Sequence, residues 1–391
     1  MKKALYLFMV LLGVQVCTRA QSRIDSILPV RGLCIATPLP NEVDAFVNFI
    51  EHELVPAHFN LLMLRVDYHY AYQTHPELRE DKVLQMADVK KIVRACKAHH
   101  ITLVPQINLL GHQSWAYGSG KLLKNYPQFD ETPYIVMDEA RGDEPYVWPN
   151  PLGFFCKSYC PLHPDVHEIV FDLVDELMDV FEATWFHGGF DEVFILADSL
   201  CPRCAGKDPA ELLAGEITLV RNHLAQQGQR LMIWGDRLIN GWHTGIGEWQ
   251  AAINHTERAV SLIPKDVVIC DWHYEKAEQT PAYFAVQGLG VLSCPWNRTS
   301  ICGQQLDDIL NGRQSGSPGI ASRFLGIMQT TWCSMNDFLL SYYSPSAFEM
   351  QQQMKRDKED HSPFARVHPP SPPGAVGVKY MMQRFKQLNG E

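Results

Sequence analysis

Eight short apolar runs rich in β-branched residues recur along the chain with helix-patterned segments between them, and this rhythm constrains the fold more than any other feature. The runs span residues 32–36, 61–66, 101–107, 184–186, 231–234, 267–270, 290–293 and 326–329. Segments 42–54, 82–99, 166–181, 209–226 and 304–310 carry apolar residues at helical spacing. Strands joined through a helix lie parallel, so eight such units predict an α/β fold closed into a (β/α)8 TIM barrel over residues 21–343. An open, doubly wound sheet is the other arrangement this rhythm allows. No Gly-x-Gly-x-x-Gly follows the first run, which removes the motif of a dinucleotide site. After Tyr343 the pattern lapses: residues 366–376 read as a proline-rich linker and 378–388 as a terminal helix, so 344–391 is expected to form a C-terminal tail.

The first twenty residues have the character of an export signal. Lys2 and Lys3 precede an apolar stretch over 4–16, and Thr18-Arg19-Ala20 puts small residues at the two positions a signal peptidase reads. Cleavage near Ala20 and a secreted or periplasmic location are the expectation. Cys17 would suit a lipid anchor, but bulky Val16 stands where that signal needs a small residue. No stretch is long enough to predict a transmembrane helix. With 34 basic against 44 acidic residues, a formal charge of −10, the chain lacks the cationic excess that displaces phosphate counterions, and nucleic acid is excluded as a general partner. The oligomeric state is not legible.

Ten cysteines follow Cys17, too few in a chain of this length for a disulfide scaffold, and several lie in apolar runs as core residues. Cys156-x3-Cys160 with Cys201-x2-Cys204 could offer four thiolates to zinc. Disulfides or free buried thiols are the expectation there, with no metal and no organic cofactor.

Chemistry concentrates where the runs end. The segment between the third and fourth runs, 111–163, is unusually long and holds Trp115, Tyr117, Tyr134 and Trp148; in a barrel it would lie over the active face. The fourth run passes into His187-Gly188-Gly189-Phe190-Asp191-Glu192. Adjacent strand side chains point to opposite faces, so Asp191 and Glu192 can share one site only where the strand ends and its alternation fails. Two close carboxylates resist ionising together, which raises one pKa and suits that group to general acid work. Asp67 and Tyr68 follow the second run and Asn108 and His112 the third, while Trp234, Trp272 with Tyr274, Trp296 and Trp332 end the last four. Tryptophan faces stack on the C–H faces of sugars while amides and charged groups hold hydroxyls, so the joint placement points to a carbohydrate partner.

These residues resemble a known family. His187-Gly188-Gly189-Phe190-Asp191-Glu192 is similar to the His-x-Gly-Gly-Asp-Glu signature of family 20 glycoside hydrolases, the β-N-acetylhexosaminidases, with Phe190 at the second glycine. Arg31-Gly32 resembles the first-strand arginine that holds the sugar's outer hydroxyls. The segment from Pro105 to His112 resembles Pro-Glu-Ile-Asp-x-Pro-Gly-His, and Trp234, Trp272 and Trp332 fall at the family's pocket walls. The stretch from Glu192 to Cys204 is similar to the hexosaminidase D branch. The resemblance implies retaining hydrolysis of terminal N-acetylglucosamine or N-acetylgalactosamine in which the substrate's acetamido group is the nucleophile. Glu192 would be the acid and base, Asp191 would orient the acetamido group, and His187 and His112 would bind hydroxyls or support the acids.

The chain departs from that pattern at four places. Gln106 and Asn108 replace two acids, Pro295-Trp296-Asn297 lacks the tyrosine that grips the acetamido oxygen, and Cys333-Ser334 follows Trp332 where a glutamate belongs. Tyr274 is the candidate for the missing tyrosine. Two other functions fit the same residues: a glycan-binding barrel without catalysis, and a two-carboxylate retaining glycosidase in which Asp67, Asp236 or Asp271 partners Glu192.

Overall fold

The computed structural model describes residues 22–115, 118–135, 156–359 and 374–391. The export signal, Tyr117, Trp148 and nearly all of the proline-rich linker lie outside them. Eight strands form the barrel: β1 (Val30–Ala36), β2 (Leu61–Arg65), β3 (Thr102–Leu109), β4 (Trp185–Gly189), β5 (Arg230–Trp234), β6 (Val268–Asp271), β7 (Gly290–Ser293) and β8 (Phe324–Thr330). Each pairs in parallel with its neighbours in chain order, and β8 closes on β1. All eight runs of the sequence are strands, and the open sheet is not formed.

Period-two alternation divides the strand residues between two cores. On β2, Leu62 and Leu64 face outward into the large core shared with the helices, whereas Leu61 and Met63 face inward. Cys34, Val104, Met232, Trp234, Val268, Cys270, Leu292, Cys294 and Met328 complete the interior cluster. Trp234 ends β5, and Trp272 and Trp332 pack against that cluster at the C-terminal ends of β6 and β8, so tryptophans continue the inward-facing rows.

The helices wrap the outside as their apolar spacing requires. Helix Pro209–Gln226 starts where the Asp208 carboxylate accepts from the amides of Ala210 and Glu211, with Pro209 in the first turn, where its missing N–H loses nothing. Residues 82–85 are not helical as expected, because Leu84 forms a bridge with Tyr70 and the helix begins at Met86. Helices Met335–Tyr343 and Pro345–Glu359 extend order past the point where the sequence pattern lapses. Among the described residues no helix is long and apolar enough to cross a membrane.

The terminal helix, Ala375–Asn389, buries Val378, Met381 and Phe385 in the main core. Its Gly377 lies directly on the loop after β7: a Cβ there would come within 2.0 Å of the Trp296 carbonyl oxygen. Gly377→Ala is expected to destabilise the protein by about 1–3 kcal/mol, as overpacking typically does. Gly215→Ala, in helix Pro209–Gln226 with open space around it, should stabilise by about 1 kcal/mol. Urea unfolding of both variants against the parent checks the pair; equal shifts would contradict the packing described.

Candidate active site

A cavity of about 710 Å³ opens at the C-terminal end of the barrel, lined by Arg65, Asp67, Asn108, His112, Asp191, Glu192, Trp234, Trp272, Tyr274, Trp296 and Trp332 among others. Ten residues singled out in the sequence are therefore brought to one place. Arg31 and His187 are not among them.

Arg31 is corrected outright. It lies near the N-terminal end of β1, out of phase with the inward residue Cys34, and its guanidinium is buried against the Leu28 and His58 carbonyls and the Asp25 carboxylate at 2.7 Å. A strand's N-terminal end is the opposite end of the barrel from the cavity. The arginine in the cavity is Arg65, in phase with Leu61 and Met63 on β2. Its guanidinium stacks 4.6 Å over Trp332 and donates to the Thr331 carbonyl. His187 sits beneath the floor, wholly buried, its ring 4.5 Å from Trp234 and its Nδ1 accepting the Gly189 amide. It supports the floor and has no face on the cavity.

The two acids reach one site by a break in the alternation. Trp185, His187, Gly189 and Asp191 are in phase, which carries Asp191 inward, and Glu192 is out of phase. Backbone in the left-handed region at Phe190 (φ 68°) and Glu192 (φ 50°), just past the end of β4, turns Glu192 back to the same cavity. Such conformations are costly for side-chain-bearing residues and persist where the surroundings impose them. Here the Glu192 amide donates to Asp236 Oδ2 at 2.9 Å. Gly189 is obligatory, since a Cβ would lie 2.3 Å from Asn108 Oδ1 and its φ is 73°.

His112, itself at φ 54°, places Nε2 3.1 Å from both Asp191 Oδ2 and Glu192 Oε2. Its Nδ1 is 3.3 Å from Cys156 Sγ. Burial raises Glu192 above the ordinary glutamate value despite the nearby imidazole. Burial also works against Asp191, but the charge and hydrogen bond of His112 outweigh it and leave Asp191 below the aspartate value. For His112, burial is outweighed by Cys156 and Asp191, and its pKa stands well above 6.5. Because burial holds the Cys156 thiol neutral up to about 12, Asp191 is the anion acting on His112 near neutrality. Asp191 is thus an anion beside an imidazolium, and Glu192 is the group inclined to keep its proton. Asp191 Oδ1 is buried and has no protein hydrogen-bond partner, as is also true of Trp234 Nε1 on the floor and Gln106 Oε1 beside it.

The other carboxylates are engaged. Asp236 accepts from Arg237 at 2.6 Å and from Trp272 Nε1 at 3.3 Å. Asp271 accepts from Thr280 and pairs with His273 outside the cavity. Asp67 faces the cavity while accepting the Asn108 amide at 2.8 Å. Tyr274 receives the Trp332 indole N–H at 2.8 Å and stands against Trp272 and Trp296. The loop after β3 supplies a wall not foreseen residue by residue, including Ser114 and Lys121, and Glu80 joins the expected Tyr68 from the loop after β2. Among the described residues two groups have donors close enough for a metal: His112, Cys156 and Glu192 at the cavity, and Cys160, Cys201 and Cys204 outside it.

The His112–Asp191 pair ties stability to pH. The raised His112 contributes fully below about 6.5, and its share is lost as pH rises through the folded value; the lowered Asp191 contributes above the ordinary aspartate value and is lost as pH falls through its folded one. By NMR the His112 ring should titrate above 6.5, and Asp191→Asn should bring that midpoint down. An unchanged midpoint would show that Asp191 is not its counter-ion.

A model described as the glycosyl hydrolase family 20 catalytic domain matches residues 66–318. The lacto-N-biosidase of Bifidobacterium bifidum is 26% identical over 166 residues, 39% of this chain and 13% of that protein. A β-hexosaminidase of Akkermansia muciniphila is 25% identical over 165 residues, 40% of this chain and 30% of that protein. The chain thus spans less than a third of the length of either relative. Among solved structures, a β-N-acetylhexosaminidase superposes with a TM-score of 0.58 at 18% identity, covering 88% of this chain and 80% of that one. The chitobiase of Flavobacterium johnsoniae gives 0.55 at 16% identity, covering 92% and 51%. At these identities the superpositions speak to the barrel fold alone.

Proposed function

The chain belongs to glycosyl hydrolase family 20, and from that premise we propose that it is an exo-acting β-N-acetylhexosaminidase, releasing terminal N-acetylglucosamine or N-acetylgalactosamine from glycans with retention. The observation that carries this reading is the buried Asp191 Oδ1, without a protein partner, beside a protonation-prone Glu192 in a tryptophan-floored cavity. An acetamido N–H would donate to Asp191 Oδ1, turning the carbonyl oxygen of the same group toward the anomeric carbon. Glu192 would give its proton to the departing glycosidic oxygen as the carbonyl attacks. A cyclic intermediate results, and Glu192, now a base, would take a proton from the water that opens it.

His112 holds both acids in register and sets their division of labour, since its charge favours the ionised form of Asp191. Trp234, Trp272, Trp296 and Trp332 would pack on the sugar ring, with Tyr274 beside the acetamido group. Arg65, Asp67 and Asn108 offer charged and amide groups to the outer hydroxyls, the role the sequence had given to Arg31. The two-carboxylate mechanism has less support, because Asp236 and Asp271 are committed to Arg237 and to Thr280 with His273, which leaves it Asp67, held by the Asn108 amide, as the partner of Glu192. The N-terminal signal supports action outside the cytoplasm, after cleavage near Ala20.

Chromogenic N-acetylglucosaminide, N-acetylgalactosaminide and plain glucoside, offered to the parent and to Glu192→Gln, test the proposal. Turnover of acetamido sugars alone is expected, blocked by a thiazoline and reduced by about 10²- to 10⁴-fold in Glu192→Gln. Turnover of plain glucosides would favour the two-carboxylate reading. Equal inertness of both proteins, each binding the sugar, would favour a glycan-binding barrel. With Glu192 raised and Asp191 lowered, kcat/KM should lose its acid limb only below the ordinary aspartate value and its basic limb only above the ordinary glutamate value.

A further inference from the structure

Away from the cavity, three thiols and a carboxylate converge where the loop after β3 meets the loop after β4. Cys160 Sγ lies 3.2 Å from Cys204 Sγ and 3.6 Å from Cys201 Sγ, and all three sulfurs lie within 4.8 Å of one another. The fourth cysteine of the sequence motif is elsewhere, since Cys156 is turned to His112. Its place beside the cluster is taken by Glu131, wholly buried and packed at Cys204. Glu131 Oε1 accepts the Asp198 amide at 3.0 Å, and its carboxylate also meets the Cys204 thiol.

We propose that Cys160, Cys201 and Cys204 form a three-thiolate structural zinc site that staples the two loops together, with Glu131 beside Cys204. A buried carboxylate beside three thiols is costly when ionised, and a dication bound by thiolates offsets that charge. Three thiolates favour zinc over the harder divalent ions. A tetrahedral site with Zn–S bonds of about 2.3 Å sets its sulfurs about 3.8 Å apart, close to the separations found and far from a disulfide bond of about 2.05 Å. Backbone amides are aimed at the sulfurs as zinc knuckles require: Leu162 at Cys160, and Arg203 and Cys204 at Cys201. A disulfide between any two of the three would strand the third thiol beside a buried carboxylate. The binding of zinc displaces the thiol protons, leaving three thiolates as ligands and the Glu131 carboxylate beside them.

The test is metal analysis of the purified full-length protein. About one zinc per chain is expected, with an X-ray absorption shell of three sulfurs near 2.3 Å. Cys204→Ser should lose the metal, and Glu131→Ala should release it to a chelator at least about 10-fold more readily. Cobalt substituted into the parent protein should show thiolate charge-transfer bands, which keeps the test open if Cys204→Ser does not fold. Protein without stoichiometric metal would overturn the proposal, whether its denatured thiol count falls short by two, as a disulfide requires, or is complete. A metal shell lacking sulfur would overturn it equally.

Discussion

A barrel strand gives every second side chain to the interior, and nearly everything at this site follows from which residues fall in that phase. On β2 the inward row ends in Arg65, on β3 it passes through Gln106 and Asn108, and on the last four strands it continues into Trp234, Trp272, Trp296 and Trp332. The lower part of each row is apolar and fills the barrel, so the polar and aromatic ends collect above a closed floor. The chemistry sits where it does because the interior beneath it is full.

Against this regular frame the acid pair is the one irregularity that matters. Period two would send Asp191 and Glu192 apart, and the left-handed backbone at Phe190 and Glu192 overrides it. Phe190 stands where the family pattern has glycine, the residue that adopts this conformation freely. Its ring is buried in the outer core, and that packing, together with the bond from the Glu192 amide to Asp236, holds the turn against its strain. His112 then serves both acids with a single nitrogen, so three residues in unusual or adjacent backbone form one electrostatic unit.

The eight strands were legible because their apolar runs are separated by strong helical patterns, and the acids because two adjacent carboxylates at a strand end are rare. Arg65 was equally visible in principle: Leu61, Met63 and Arg65 form an inward row, and the charge at its end is the signal. Arg31 misled because resemblance put weight on the first strand, while its position near the start of that strand sends it to the other end of the barrel. Cys156 was grouped with three other cysteines by spacing. Only the path of the chain after β3 shows that it turns to His112. Glu131 carries no sequence mark at all, since burial is what makes it unusual.

Gly377 gives the site a dependence on a part of the chain beyond the barrel. The helix that covers the Trp296 carbonyl follows every strand of the barrel in the chain, and an aromatic wall of the cup is backed by a segment outside the strand-and-helix repeat. The wall that carries Trp296 is therefore only as firm as the docking of a helix that itself has no face on the cavity.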